Sequence, residues 1–419
     1  MKKLTLWILF LTVFTIGVEL APKDAEAIPA FARKYKTACI TCHATFPRLT
    51  AQGEAFRLNG YKMPGGDELF IKDQPMSLGA AGYKRVFPKS VWPSDIPGMP
   101  PVAIRFTQKT VYGIGDNDPT VDFNAPSTKI LAAGSMGEDM SFFTEFEFED
   151  EASEISGWLM WEDLLDGAIG ENHLNIKIGS VGMQDLALPN TRSHNMITTE
   201  MYLYTSAMGL HAEGGSNTGL ELNGFDKWWR YNLGITQGDG ETAKKDFYGA
   251  ASFKLGGLGY DGSGGTTEEG GLSTTPAGYW RDDSIAFGFF GYRSYNGPQD
   301  EESDRYGVDL RLNYRDLSVA AGYISGKDIE EDHMSGLLLD QDVYFGEAEY
   351  FAYPWLQPYV RFEGLSVSGA DNTSRVIAGA VMLARANVKF NVEGRFYTDN
   401  EPATDGAGNR VVFSLDYAF

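Results

Sequence analysis

The chain is poor in cysteine, histidine and positive charge. Its 419 residues contain 2 cysteines and 5 histidines, and 57 acidic side chains outnumber 35 basic ones, for a formal net charge of −22. The shortage of cysteine excludes a disulfide framework as the source of stability. The acidic excess excludes nucleic acid as a partner, because a phosphate backbone requires basic surfaces.

Long apolar runs are scarce as well. One lies near the N-terminus, from Leu4 to Val18, after a basic start and before Ala25-Glu26-Ala27, which fits a signal-peptidase site. We therefore predict that residues 1–27 are a cleaved export signal. No later run is long enough to cross a bilayer as a helix, so membrane insertion would require a closed β-barrel, in which neighbouring strands satisfy each other's backbone hydrogen bonds.

Many later segments alternate apolar and polar side chains with the period of a β-strand. Candidate strands include 102–113, 230–239, 304–314, 387–399 and 410–419, whereas 219–225 fits either a strand or a loop. A soluble β-sandwich would also alternate. The length of the segments, the aromatic residues near their ends and the terminal Phe419 favour a transmembrane antiparallel barrel of about 16 strands.

The lengths of the connections predict which end of the barrel faces outward. Those near 316, 354 and 386 are tight, and those at 327–343 and 399–410 are longer, as extracellular loops are. The acidic clusters 300–302 and 330–333 then lie outside the cell. Because successive strands alternate in direction, connections alternate between the two ends of the barrel, and the Gly-rich run 256–282 then falls on the periplasmic side. Its length predicts either one more strand in this region or an unusually long turn.

Both cysteines belong to one motif, Cys39-Ile40-Thr41-Cys42-His43. In a Cys-x-x-Cys-His sequence the two thiols bond the vinyl groups of a c-type haem, and the imidazole ligates the iron. A zinc knuckle would need further cysteines or histidines nearby, yet the next histidine is His173. A thioredoxin-like redox pair would need a βαβ context. The motif therefore predicts one covalently attached haem c, with His43 as an iron ligand.

The region around the motif is expected to be a small α-helical c-type cytochrome module. We place this module at 28–75 and the porin-like barrel at 76–419. Helical signals cover Ala32 to His43 and Leu49 to Leu58, and Gly60 is positioned to stop the second helix. So short a module cannot bury a large core unaided, so we expect it to dock in the pore. The predicted fold class is all-β, with this helical module added.

The remaining haem contacts are less constrained by the sequence. Met63 is the first candidate for the sixth iron ligand, followed by Met76, Met99 or an open site, because a thioether would raise the potential. Arg48 and Arg57 are cofactor-binding candidates that could pair with the haem propionates. Lys36 and Lys62 are two further cations that could pair with the propionates. All four are equally compatible with a solvated surface.

The residues around the motif resemble the N-terminal module of the fused monohaem cytochrome-porins, the outer-membrane iron oxidases of iron-oxidising bacteria. The resemblance rests on Ile28-Pro29-Ala30-Phe31-Ala32-Arg33, Cys39-x-x-Cys42-His43, Phe46-Pro47-Arg48-Leu49, Gly53, Phe56 and Asn59-Gly60-Tyr61. The resemblance implies that the protein lies in the bacterial outer membrane, in contact with its lipid. It also implies that one haem oxidises extracellular Fe(II). The electrons would pass to a periplasmic c-type cytochrome or another soluble carrier.

Two other functions fit the same features. Electrons could flow outward to an extracellular acceptor, since the direction depends on potentials. Alternatively, the barrel could be a transport porin in which the haem module is a plug or a redox sensor. The acidic residues Glu330, Glu331 and Asp332, with His333, could attract Fe(II), or they could serve only to hydrate an outer loop.

Overall fold

The computed structural model describes residues 30–35, 37–65, 102–114, 120–136, 139–149, 152–182, 217–237, 244–264, 278–296, 301–329, 338–369, 371–399 and 408–419. Among these residues, none of the helices combines the length and apolar character needed to span a membrane. The predicted export signal and the 75/76 domain boundary lie outside the described ranges.

Within those ranges, seventeen strands form a closed antiparallel barrel. The first eight are β3 (Val102–Ile114), β4 (Thr120–Phe123), β5 (Ser127–Ser135), β6 (Met140–Glu149), β7 (Ala152–Trp161), β8 (Asn175–Val181), β9 (Asn217–Phe225) and β10 (Trp229–Thr236). The others are β11 (Asp246–Gly256), β12 (Ser284–Asn296), β13 (Glu301–Tyr314), β14 (Leu317–Ile329), β15 (Leu338–Tyr350), β16 (Leu356–Val367), β17 (Thr373–Arg385), β18 (Val388–Tyr397) and β19 (Asn409–Ala418).

The barrel has sixteen positions around its wall in the described chain, because β4 and β5 share one of them. Residues 110–113 of β3 pair with β4, and residues 102–107 of the same strand pair with β5. The wall closes where β19 pairs with β3 in a register that sets Phe413 opposite Thr110. The prediction of about 16 strands is confirmed, and the segment 219–225 is part of a strand.

Burial in the barrel is the reverse of that in a soluble protein. On β13, Tyr306 and Leu310 are 60% and 43% exposed, whereas Asp309 between them is 5% exposed. On the inward face of β16, Arg361 and Glu363 are completely buried and bonded to each other. Apolar side chains that face outward and charges that face a lumen are the pattern of a transmembrane barrel, which confirms the predicted alternation.

The two ends of the barrel differ in their connections. At the end where β3 begins and β19 finishes, here called the terminus end, β13 joins β14 and β17 joins β18 through two residues each. The longer connections 182–216, 330–337 and 398–408 belong to the other end. Two connections at the terminus end are long as well: 162–174, which contains a one-turn helix (Asp166–Ile169), and 257–283, which the alternation of strand direction predicts at this end.

A short N-terminal segment, residues 30–35 and 37–65, precedes the barrel. It contains helix α1 (Ala30–Tyr35), a 3₁₀ turn (Cys39–Thr41), strands β1 (His43–Thr45) and β2 (Arg48–Leu49), and helix α2 (Ala51–Leu58). The prediction of a helix near 49–58 is confirmed. Its first turn is capped by the Thr50 hydroxyl, which accepts from the Gly53 amide at 3.1 Å, and it stops at Gly60, whose φ is +61°.

The prediction of one helix from Ala32 to His43 is wrong. Helix α1 ends at Tyr35, and His43 pairs with Leu49 in a two-stranded sheet. The intervening threonines, cysteine and isoleucine are weak helix formers. The hydroxyls of Thr37 and Thr41 bond each other at 2.7 Å, and Thr50 donates to the Thr41 carbonyl at 2.8 Å. These side-chain bonds compete with helical hydrogen bonds and favour a turn.

Candidate functional site

The N-terminal segment lies inside the barrel at the terminus end. On one side its residues 43–48 contact strands β3, β15, β16 and β18, and we call this the motif side. Arg48 forms a buried ion pair with Glu349, and Lys389 Nζ donates to the Phe46 carbonyl at 2.8 Å. The Arg105 guanidinium lies 4.9 Å above the Phe46 ring. These wall residues all lie near the terminus end of their strands.

On its other side the segment contacts strands β6 to β10, and we call this the cavity side. Lys62 pairs with Glu162, which directly follows β7, at 2.5 Å. Glu54 on α2 lies 3.5 Å from Arg230 Nη1. The Tyr61 ring stacks on Trp158 with 5.8 Å between centroids. The segment therefore spans the lumen from wall to wall and acts as a plug at this end.

Residues 279 and 280 of the long connection 257–283 contact the plug and the wall beside it. The Tyr279 hydroxyl donates to the Ala44 carbonyl at 2.9 Å. Trp280 stacks on Phe351 with 5.0 Å between centroids, in the apolar cluster that buries Ala44. The length of this connection is explained by these contacts, because residues 279 and 280 have to reach the plug and the wall beside it.

Cys39 is the first residue of the 3₁₀ turn, and Cys42 follows that turn and contacts the start of α2. Neither is in a disulfide, and both are partly exposed. The Cys42 carbonyl accepts from the Thr50 amide at 2.9 Å, and a Cβ at Gly53 would overlap that same carbonyl oxygen. Burial raises the pKa of both thiols, to about 12 for Cys42, so they are held as neutral thiols rather than thiolates.

His43 has the environment of a neutral imidazole with one nitrogen engaged. Its Nδ1 lies 3.2 Å from the Pro47 carbonyl oxygen, and its ring packs against Phe46. Burial lowers the pKa of His43 to about 4, and so the ring is uncharged at neutral pH. A backbone carbonyl that holds Nδ1–H leaves the Nε2 lone pair for a metal, which is the usual arrangement of ligating histidines.

Met63 belongs to a different cluster. It is 1% exposed and packs with Tyr35 and Phe56, and Gln52 Nε2 lies 4.0 Å from its sulfur. A buried thioether among aromatic rings is compatible with packing as well as with ligation, so its role as a sixth ligand stays a prediction. Met76 and Met99 lie outside the described residues.

The basic candidates have specific positions in the plug. Arg48 is held by Glu349, and its guanidinium lies 5.2 Å from the Phe351 ring. Lys62 is held by Glu162. Arg57 lines a cavity between α2 and the wall. Lys36 and the acidic cluster 330–333 lie outside the described residues, whereas Glu302 of the other acidic cluster pairs with Arg293 at 2.8 Å.

The cavity, which we call the α2 cavity, was not predicted from the sequence. It is small, with a volume of about 40 Å³ between α2 and strands β7 to β10. Its lining combines basic residues with apolar and aromatic ones: Arg57, Lys177, Arg230, Leu58, Trp158 and Phe225. These come from five separate stretches of chain that no sequence motif connects. Elsewhere in the described chain, no group of three or more His, Cys, Asp or Glu residues is arranged to hold a metal ion.

No protein-family model matches this chain, and no curated protein matches it in sequence. Its fold is similar to solved porins. Salmonella typhi OmpF, in a complex with daunomycin, has a TM-score of 0.53 at 11% identity, over 76% of this chain and 97% of that one. The anion-selective porin from Comamonas acidovorans has a TM-score of 0.52 at 12% identity, over 76% and 99%. Identities this low show the fold alone: a porin-like outer-membrane β-barrel.

Proposed function

We propose that this protein is an outer-membrane electron-transfer protein that oxidises extracellular Fe(II) at one covalently bound c-type haem. One observation carries the proposal. The Cys-x-x-Cys-His motif belongs to a segment that plugs the lumen of a porin-like barrel, so a redox group attached there would stand between the two sides of the membrane.

The residues present suit a haem. Two uncharged thiols, three positions apart, can form thioethers, and His43 offers Nε2 while Pro47 orients its ring. When bound, the haem would accept one electron and release one. The chain's part is to hold it: Cys39 and Cys42 would anchor it, His43 would ligate it, and Met63 is the proposed sixth ligand. Arg48, which is paired with Glu349, and Arg57, which lines the α2 cavity, are the two arginines proposed to meet the propionates.

The direction of the barrel supports an inward route. Long connections are extracellular in such barrels and short turns periplasmic, so the plug would stand at the periplasmic end. Fe(II) would approach through the polar lumen, and the periplasmic carrier would meet the plug at the terminus end. This carrier is proposed to be a c-type cytochrome or another soluble electron-transfer protein.

The test is anaerobic mixing of Fe(II) with the purified, oxidised, haem-loaded protein in detergent. The reduced haem spectrum is expected to appear at near-neutral pH within the time of mixing, and Zn(II) serves as the redox-inactive control. A haem that stays oxidised under excess Fe(II), yet is reduced by dithionite, would contradict inward iron oxidation and leave the outward direction.

Removal of the anchoring thiols tests the cofactor itself. The Cys39→Ala/Cys42→Ala variant is expected to lose all covalent haem on a denaturing gel stained for haem, while Ile40→Val retains it. Both variants should keep the heat-modifiable gel mobility of a folded barrel.

In Met63→Ala, loss of a thioether ligand should change the spectrum of the oxidised haem and lower its potential. An unchanged spectrum and potential would exclude Met63 as a ligand.

The similarity to porins favours a second function, transport of small solutes through a barrel whose haem segment is a plug or sensor. Planar-bilayer conductance separates the two proposals. A conduit should conduct ions poorly with its plug in place and still exchange electrons with Fe(II). A porin should conduct, and reduction or removal of the haem should change that conductance.

A further inference from the structure

We infer that two cations of the barrel wall, Lys389 and Arg105, position His43 as an iron ligand and raise the potential of its haem. The inference rests on the haem of the proposed function and adds two wall residues to its site. It does not depend on Fe(II) as the electron donor. It is carried by the contacts that the two cations make with the loop that holds the imidazole.

The first step is the bond from Lys389 to the plug. Its side chain is 2% exposed, and its Nζ donates to the Phe46 carbonyl at 2.8 Å. The next residue is Pro47, whose carbonyl oxygen lies 3.2 Å from His43 Nδ1. One carbonyl of this loop is thus held by the wall, and the next one holds the imidazole. Lys389 therefore fixes the orientation of the proposed iron ligand through the loop, as outer partners of metal ligands do.

Arg105 holds the same loop from another strand. Its guanidinium lies 4.9 Å from the Phe46 ring, and that ring lies 5.2 Å from the His43 ring. Asp416 bonds both cations, at 2.9 Å from Arg105 Nε and 3.3 Å from Lys389 Nζ. The three wall residues come from β18, β19 and β3, which are adjacent where the barrel closes. The loop is therefore gripped by a bonded cluster rather than by a single side chain.

The charges of the cluster give the direction of its effect on the haem. The charges of Arg105 and Lys389 act on the imidazole, where they add to burial in lowering the pKa of His43. Ferric haem carries one more positive charge than ferrous haem, so cations close to the ligand favour the ferrous form. Solvent screens buried charges weakly. Lys389 and Arg105 should therefore raise the potential, as acceptance of an electron from Fe(II) requires, and Asp416 should lower it.

Redox titration of the full-length, haem-loaded protein in detergent tests the inference, with dithionite and ferricyanide in place of Fe(II) and the haem spectrum as the readout. In Lys389→Gln the ratio of ferrous to ferric haem at a fixed potential should fall about tenfold, which is about 59 mV for one electron. Lys389→Arg should keep the potential, and Asp416→Asn should raise it. Lys327→Gln, at an exposed pair with Asp340 on β14, is the matched control and should leave it unchanged.

The opposite signs are the decisive result. Lys389→Gln and Asp416→Asn break the same ion pair, so a purely structural role would shift the potential in the same direction in both. Shifts of the same sign, or an unchanged potential in Lys389→Gln, would overturn the inference. Heat-modifiable mobility reports whether each variant keeps its barrel. If Asp416→Asn loses it, the two lysine variants decide: equal losses of potential in Lys389→Gln and Lys389→Arg would overturn the role of the charge.

The same samples separate this inference from the proposed iron oxidation. A haem that Fe(II) fails to reduce, but whose potential shifts as expected in the variants, would remove iron oxidation and support the role of the two cations. Reduction by Fe(II) together with unshifted potentials in the variants would do the reverse.

Discussion

The plug meets the barrel wall in two different ways. On the motif side, Arg48 pairs directly with Glu349, and Phe46 is bonded by Lys389 and covered by Arg105. On the cavity side, α2 is held by a longer pair, Glu54 with Arg230, and a cavity of about 40 Å³ lies between helix and wall. The difference teaches that the half bearing His43 is built into the wall, whereas α2 packs against the wall less closely.

Breaking the motif side should have the largest effect. Arg48→Met removes the guanidinium that faces the carboxylate of Glu349, whose side chain is 2% exposed. The loss of one member of a buried pair costs about 3–5 kcal/mol. Hydrogen exchange of the amides in 43–49, followed against denaturant, should report it. Arg48→Met/Glu349→Gln should recover part of the loss, and Arg293→Met at the exposed pair with Asp304 should cost about 0–1 kcal/mol. Equal effects at the two sites would contradict the tight interface.

The turn after α2 offers a sharper comparison. Gly60 and Gly65 both have positive φ, +61° and +86°, so alanine strains the backbone at either position. At Gly60 the new Cβ would also overlap the side chains of Glu162 and Ser141, whereas at Gly65 it meets nothing within 4 Å. Gly65→Ala should cost about 1 kcal/mol, and Gly60→Ala a further 1–3 kcal/mol or so from overpacking. Hydrogen exchange of the amides in residues 59–65 measures the loss of stability in each variant. Equal losses in the two variants would mean that the side chains around Gly60 move aside for the new Cβ.

Acid should loosen the cavity side through Glu54. Burial raises the pKa of Glu54, but the charges of Arg230, Arg311, Lys254 and Arg57 outweigh it and hold that pKa below the usual 4.5. The stabilisation from Glu54 is therefore present above about pH 4.5 and is lost as the pH falls through the lowered value. Protection factors of the amides in 51–58, which remove the intrinsic pH dependence of exchange, should fall several-fold on acidification, and Glu54→Gln should flatten their profile. A steep profile in that variant would assign the acid effect to another group.

Glu162 should give the smallest effect and the opposite sign. Burial raises its pKa above 4.5 in spite of the Lys62 ammonium. Its contribution is present below the unfolded pKa and is lost as the pH rises through the raised value. Glu162→Gln should therefore keep the plug in place at neutral pH, with a gain of less than about 1.4 kcal/mol, the worth of one pKa unit. The same exchange measurement at residues 59–65 checks this, and a clear loss would show that the Lys62 pair outweighs burial.

The barrel was predictable because its pattern is local. Val388, Phe390 and Val392 alternate with Lys389 and its neighbours, and a period of two survives whatever surrounds the strand. The alternation of strand direction alone was enough to predict the end of the barrel at which the connection 257–283 lies. Helix α2 was predictable from its cap and stop signals, whereas the 3₁₀ turn was missed because the threonine hydroxyl bonds that favour it come from Thr37 and Thr50, several residues away.

The contacts of the plug were not predictable from the sequence. Arg48 and Glu349 are 301 residues apart, and nothing local to either residue indicates its partner. The α2 cavity is defined by α2 together with four strands, so it exists only once the plug stands in the lumen. A sequence motif consists of residues that are close together in the chain. The residues of this interface are far apart in the chain, and only the fold brings them together.

The pairing of β19 with β3 closes the barrel wall around the plug. Once that seam is made, residues 43–48 lie inside a complete wall, and Tyr279 bonds the Ala44 carbonyl at the terminus end. The partners of this segment, Glu349 and Lys389, belong to strands near the end of the chain. The motif side of the plug can therefore reach its final contacts only when the C-terminal strands are in place.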